Sequence, residues 1–209
     1  MNKMKSFAGF AGLAIILFTS CTKDTFTDIQ EPAPPDRNQS TTPRVEEPVY
    51  TTYFIPAGSH YCTTSTILPV KTSEMKFAVK FDSSAIYTTT DPLNQSDINK
   101  LYGFSEGFNN QYNSARFGWS WYNKRLNIFA YVYKKGVRAQ KRITSVAIGK
   151  EHTFSIKVSG SSYIFTINGI TATLGRGLST ATASGYQQYP YFGGDEVAPH
   201  DVTILIRNL

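Results

Sequence analysis

The chain has 209 residues, 21 Lys and Arg against 15 Asp and Glu, a formal charge of +6, and only two cysteines and three histidines. So modest a net charge argues against nucleic acid as a partner, and two cysteines allow at most one disulfide. Asn2-Lys3-Met4-Lys5 makes a basic start, and Phe7 to Phe18 an apolar run too short to cross a bilayer as a helix. Thr19 and Ser20 then place small residues before Cys21, so residues 1–20 have the layout of a secretory signal peptide. Residues 21–49 have linker composition. Five of the ten prolines (Pro32, Pro34, Pro35, Pro43, Pro48) fall there among Thr, Ser, Asn, Gln and Glu. Such a segment buries too little surface to offset its ordering entropy, and its prolines favour extended polyproline conformations.

Residues 50–209 are long enough for one domain with a sizeable core. Its pattern is strand after strand. Phe77, Val79 and Phe81 alternate with Lys76, Lys80 and Asp82, and Phe117, Trp119 and Trp121 with Arg116, Gly118 and Ser120. Leu126, Ile128, Ala130 and Val132 share one face of a strand whose other face carries Phe129, Tyr131 and Tyr133. Phe154, Ile156 and Val158 repeat the period of two, as do Val202, Ile204 and Ile206 at the end. Turn signals stand between them at Pro56-Ala57-Gly58, Asn109-Asn110, Lys135-Gly136, Ser159-Gly160 and Gly193-Gly194. Asn168-Gly169, between two β-rich runs, predicts a type I′ hairpin. A turn or two of helix is expected within residues 91–101, with Asp97 as its cap. The reading is an all-β antiparallel sandwich of the jelly-roll kind.

Two resemblances extend this reading. Thr19-Ser20-Cys21 resembles the lipobox of bacterial lipoproteins, which implies cleavage before Cys21 and acyl chains on its sulfur. The protein would then be exported and lipid-anchored, at the outer membrane or cell surface of a Gram-negative bacterium, with Cys62 its one remaining thiol. Tyr163 to Leu174, with the run Tyr-Ile-Phe-Thr-Ile-Asn-Gly, and the closing Tyr189 to Gly194 and Asp201 to Ile206 resemble the concanavalin-like lectin and glucanase jelly rolls, which include laminin-G-type and several polysaccharide-lyase domains. Together with Asn99 to Gly107 and Asn113 to Trp119 they resemble a group of small surface lipoproteins of unassigned function.

The acidic triplet that glucanases of this fold carry along one strand is missing: no Asp or Glu occurs between Gly107 and Lys150. Tyr133 to Gln140 is similar to a signature strand of alginate lyases, though Val132 holds the place of the catalytic Tyr and the segment precedes the Asn-Gly hairpin. The lyase resemblance implies Arg116, Tyr131 and Tyr133 as site residues. Nine basic residues between Gly107 and Lys150 interleave with aromatics, a pattern suited to sugar rings and to acidic glycans in particular. The expected ligand-binding set is Arg116, Trp119, Trp121, Phe129, Tyr131, Tyr133 and Tyr191, acting without catalysis. A surface protein partner fits the same features. Asp195, Glu196 and Asp201 form a candidate Ca²⁺ loop.

Overall fold

A computed structural model describes residues 47–209, and the expectations for the leader, Cys21 and most of the linker lie outside them. Among the described residues the chain forms twelve strands: β1 Thr51–Ile55, β2 Pro69–Thr72, β3 Glu74–Phe81, β4 Asn99–Ser105, β5 Asn113–Tyr122, β6 Arg125–Lys134, β7 Val137–Val146, β8 Glu151–Ser159, β9 Ser162–Ile167, β10 Ile170–Gly175, β11 Ala183–Gln188 and β12 Val202–Asn208. They pair antiparallel into two six-stranded sheets, ordered β1-β12-β3-β8-β9-β10 and β2-β11-β4-β5-β6-β7. The aromatic side of each period-two pattern meets between the sheets. Phe77 stacks on Phe154 at 5.4 Å, Phe117 stands edge-on to Phe154 at 4.8 Å, and Trp119 lies against Phe81 at 5.7 Å.

In β8, outward Glu151, Thr153, Lys157 and Ser159 alternate with buried His152, Phe154, Ile156 and Val158, as the sequence predicts. β5 and β6 are buried on both faces for most of their length. On the outer face Tyr131 packs against Tyr133, Arg116 and Lys100, so the aromatic run in β6 continues through both faces.

Tight turns set the registers. Asn168 and Gly169 both adopt positive φ (47° and 84°), as a type I′ turn requires, and Lys135-Gly136 does the same at 50° and 83°. A further turn of this kind, Asn123-Lys124, joins β5 to β6 with φ of 53° and 56°. The sequence gives it no signal, because Lys has no preference for the left-handed region. The expected helix is a single 3-10 segment, Pro92–Ser96. Asp91, not Asp97, caps its start, accepting the Leu93 N–H at 2.9 Å, with Pro92 at the first position.

Candidate functional site

The outer face of the second sheet builds a basic cleft by cross-strand register. Gln188 of β11 faces Gly103 of β4, Gly103 faces Arg116 of β5, Arg116 faces Tyr131 of β6, and Tyr131 faces Gln140 of β7. In the adjoining rows Lys100 pairs with Gly118, Phe129 with Arg142, and Tyr133 with Arg138. Between Lys100 and Gly103 two residues, Leu101 and Tyr102, oppose the single Phe117. This β-bulge keeps Lys100 on the same face as Arg116, where an unbroken alternation would turn it away.

Lys100, Arg116, Tyr131, Tyr133, Arg138 and Tyr191 line a basin of about 480 Å³, rimmed by Asn110, Gln111 and Asp195. Arg116 is 8% exposed. Its guanidinium lies over the Tyr131 ring at 5.7 Å, its Nε has no hydrogen-bond partner, and it takes part in no salt bridge among the described residues. Burial pulls its pKa down, and the neighbouring tyrosines only partly compensate. The Lys100 ammonium donates to the Ile98 carbonyl at 2.9 Å and sits 5.2 Å from the Tyr131 ring and 5.8 Å from that of Tyr191. Burial, with the charges of Arg116 and Arg138 added, lowers its pKa to about 8 against the opposing pull of Asp97. Gly193 passes so close to this amine and to the Ile98 carbonyl that any side chain there would collide with both. Burial raises the Tyr131 hydroxyl, and the Tyr133 hydroxyl beside it adds to the effect. Tyr191 is raised by burial as well. None of the three histidines lines the basin. The arrangement gathers one buried cation, Arg116, and one half-buried cation, Lys100, around a tyrosine pair, with no carboxylate among the described residues neutralising Arg116.

The expected set divides. Arg116, Tyr131, Tyr133 and Tyr191 come together as read, and Phe129 lines the adjoining stretch of cleft toward Tyr122. Tyr131, however, is 2% exposed, so it is a recessed floor and not a displayed platform. Trp119 and Trp121 point the other way. Trp119 is fully buried against Phe81, Tyr87 and Phe192, and Trp121 packs on the core. In β5 the residues that alternate with Arg116 face the core, so the two tryptophans cannot share its cleft. Lys100, Arg138 and Gln140 were missed as site residues; the bulge hides the first, and the partners of the other two are set by pairing with β6.

The acidic loop is dispersed. Glu196 accepts the backbone N–H groups of Thr90 and Asp91 and the Asn94 amide at 2.7–2.9 Å, bonds that lower its pKa, Asn94's foremost. Asp201 accepts the Ala57 N–H at 2.8 Å, and Asp195 lies on the basin rim. Among the described residues no three acidic, His or Cys side chains gather as a metal site.

No protein-family model matches this sequence, and no curated protein is similar to it. Solved structures do superpose. Alginate lyase AlyC3 aligns with a TM-score of 0.52 at 8% identity over 76% of this chain and 72% of its own. A variant of alginate lyase A1-II′ carrying two introduced cysteines gives 0.50 at 12% over 75% and 76%. The alginate lyase from Klebsiella pneumoniae gives 0.50 at 10%, over 65% of this chain but only 58% of that one. The domain is a concanavalin-like jelly roll. At such identities the likeness carries the jelly-roll architecture and no chemistry, which rests on the cleft itself.

Proposed function

We propose that the jelly-roll domain binds an acidic glycan in the cleft of its second sheet, with a uronate carboxylate seated on Arg116. The observation that carries this reading is the buried Arg116 guanidinium, whose Nε has no partner and which no carboxylate neutralises. An uncompensated buried cation costs stability that a bound carboxylate would offset. Lys100 and Arg138 add positive charge around the same point, and the half-buried rings of Tyr133 and Tyr191 offer faces for sugar C–H groups. Titrating the protein with uronate-containing oligosaccharides tests it: saturable binding that Arg116→Met reduces by at least tenfold is expected, and binding indifferent to that change would refute it.

A second reading, β-elimination of the bound uronate, is favoured by the Lys100 amine with its pKa near 8 beside Tyr131. Arg116 would neutralise the carboxylate and so acidify the neighbouring C5–H. Neutral Lys100 would take that proton, a tyrosine hydroxyl would protonate the leaving glycosidic oxygen, and the C4–O bond would break as a C4–C5 double bond forms. The fold likeness to alginate lyases makes this chemistry worth measuring: ultraviolet absorbance of unsaturated uronates separates it from binding alone.

The domain would work at the cell surface, tethered through acyl chains on Cys21 and the proline-rich linker. Cys21→Ala should move the protein from the membrane fraction to the soluble exported fraction, since two acyl signals or more are needed for stable anchoring. Retention in the membrane would exclude the anchor.

A further inference from the structure

The cleft does not end at the basic basin. Beyond Arg116 and Tyr191 it opens into a second hollow of about 420 Å³ on the β11 side, of opposite character. Its walls are Tyr61, Ile67, Phe108, Tyr186, Tyr189 and Pro190, and among its lining residues Arg116 is the one charged side chain. Several of these side chains are solvent-facing without a packing reason: Phe108 is 91% exposed and Ile67 82%. Phe108 and Tyr186 hold their rings 5.2 Å apart at the rim, and Tyr61 stands edge-on to Tyr191 at 5.0 Å. An Asn110–Gln188 hydrogen bond of 2.9 Å supplies neutral polar groups at the floor.

Resting on the acidic-glycan reading, we infer that the site takes a heteropolymer in which a uronate on Arg116 is flanked by a neutral sugar with an apolar face, an N-acetylated or 6-deoxy unit, held in the aromatic hollow. The physical ground is charge accounting. A uronate at every position would carry a second carboxylate into the hollow, where the single cation is already engaged, and an unpaired anion loses its hydration without compensation. A methyl or acetamido-methyl group instead buries apolar area against Phe108 and Tyr186, and the ring hydroxyls meet Asn110 and Gln188. The cleft thus has direction: the basic basin reads charge, and the hollow reads its absence.

The test is calorimetric titration of the full chain in detergent with four probes of equal length. Two alternate acidic and neutral sugars (hyaluronan and rhamnogalacturonan hexasaccharides), and two are wholly acidic (alginate and oligogalacturonate hexasaccharides). At least one alternating probe should bind about tenfold more tightly than both homopolymers, and Phe108→Ser or Tyr186→Ser should collapse that ratio toward one. Because Phe108 is so exposed, its loss leaves the core intact. Homopolymers that bind as well as or better than the alternating probes overturn the inference while leaving the acidic-glycan reading in place. So does a preference that survives both variants. Failure of all four probes to bind the unaltered protein overturns both.

Discussion

Arg116 is the residue on which binding and stability pull in opposite directions. It stands buried among tyrosine rings and other cations with its Nε unsatisfied. Replacing it with a flexible apolar side chain of similar reach removes the desolvation cost, so Arg116→Met should weaken glycan binding and at the same time raise stability by about 1–3 kcal/mol. Denaturant titration alongside ligand titration checks both signs at once; a destabilised variant would mean that the guanidinium is structurally satisfied. Lys100 gives the pH dependence. Its ammonium loses its proton near pH 8 in the folded protein, against 10.5 for an unperturbed lysine. Below the lower value both folded and unfolded chains carry the charge and the cost of burying it is fully felt; above it the unfolded chain holds more protons, so stability rises from about pH 8 toward 10. Carboxylate binding should run the other way, weakening through pH 8 as the charge is lost, whereas elimination, if it occurs, would speed up as the free amine appears. Lys100→Met should flatten all three profiles.

At the level of elements, the hairpins and the bulge decide what faces the cleft. The β5–β6 turn places Lys124 at a φ of 56°, where a non-glycine residue is strained. Lys124→Gly converts Asn-Lys into the preferred Asn-Gly pair and should stabilise the domain by about 0.5–1 kcal/mol, measured by thermal melting, because the turn lies outside the basin and its strain is simply relieved. Asn168-Gly169 needs no such correction, which is why that hairpin is readable from two letters of sequence. The β4 bulge is the opposite case. No residue type announces it, yet without its extra residue Lys100 would turn toward the core.

For the molecule as a whole, a buried ion pair fastens the β10–β11 connection to the second sheet. Arg176 donates through Nε and Nη2 to the Glu106 carboxylate at 2.6 Å each, the two side chains are at most 1% exposed, and the Tyr163 hydroxyl donates to the same carboxylate. The guanidinium also donates to the carbonyls of Gly160 and Thr182, at 3.0 and 3.1 Å. Unlike Arg116, this arginine is fully neutralised. Glu106→Gln leaves the cation buried with a neutral partner and should cost about 3–5 kcal/mol of global stability by chemical denaturation, with the loop loosened at Thr180 to Thr182. The contrast between the two buried arginines separates the clamp that holds the molecule from the site that receives a ligand.

What the sequence by itself determined is local and periodic. The period-two runs placed the strands and their core faces, and Asn168-Gly169 and Lys135-Gly136 placed two turns. These are one-dimensional signals, set by the pleat and by which residues tolerate positive φ. The same alternation already put Trp119 and Trp121 opposite Arg116, so their place in the core follows from the pleat once Arg116 is known to face outward. Only the tertiary structure brought Lys100, Arg138 and Gln140 to Arg116 and Tyr131, since their meeting depends on strand order, on a one-residue bulge and on loops that cross from Tyr61 and Tyr191. It also showed that Arg116 has no counter-ion among the described residues, because the absence of a partner is a property of three-dimensional surroundings and leaves no mark on the chain's own letters.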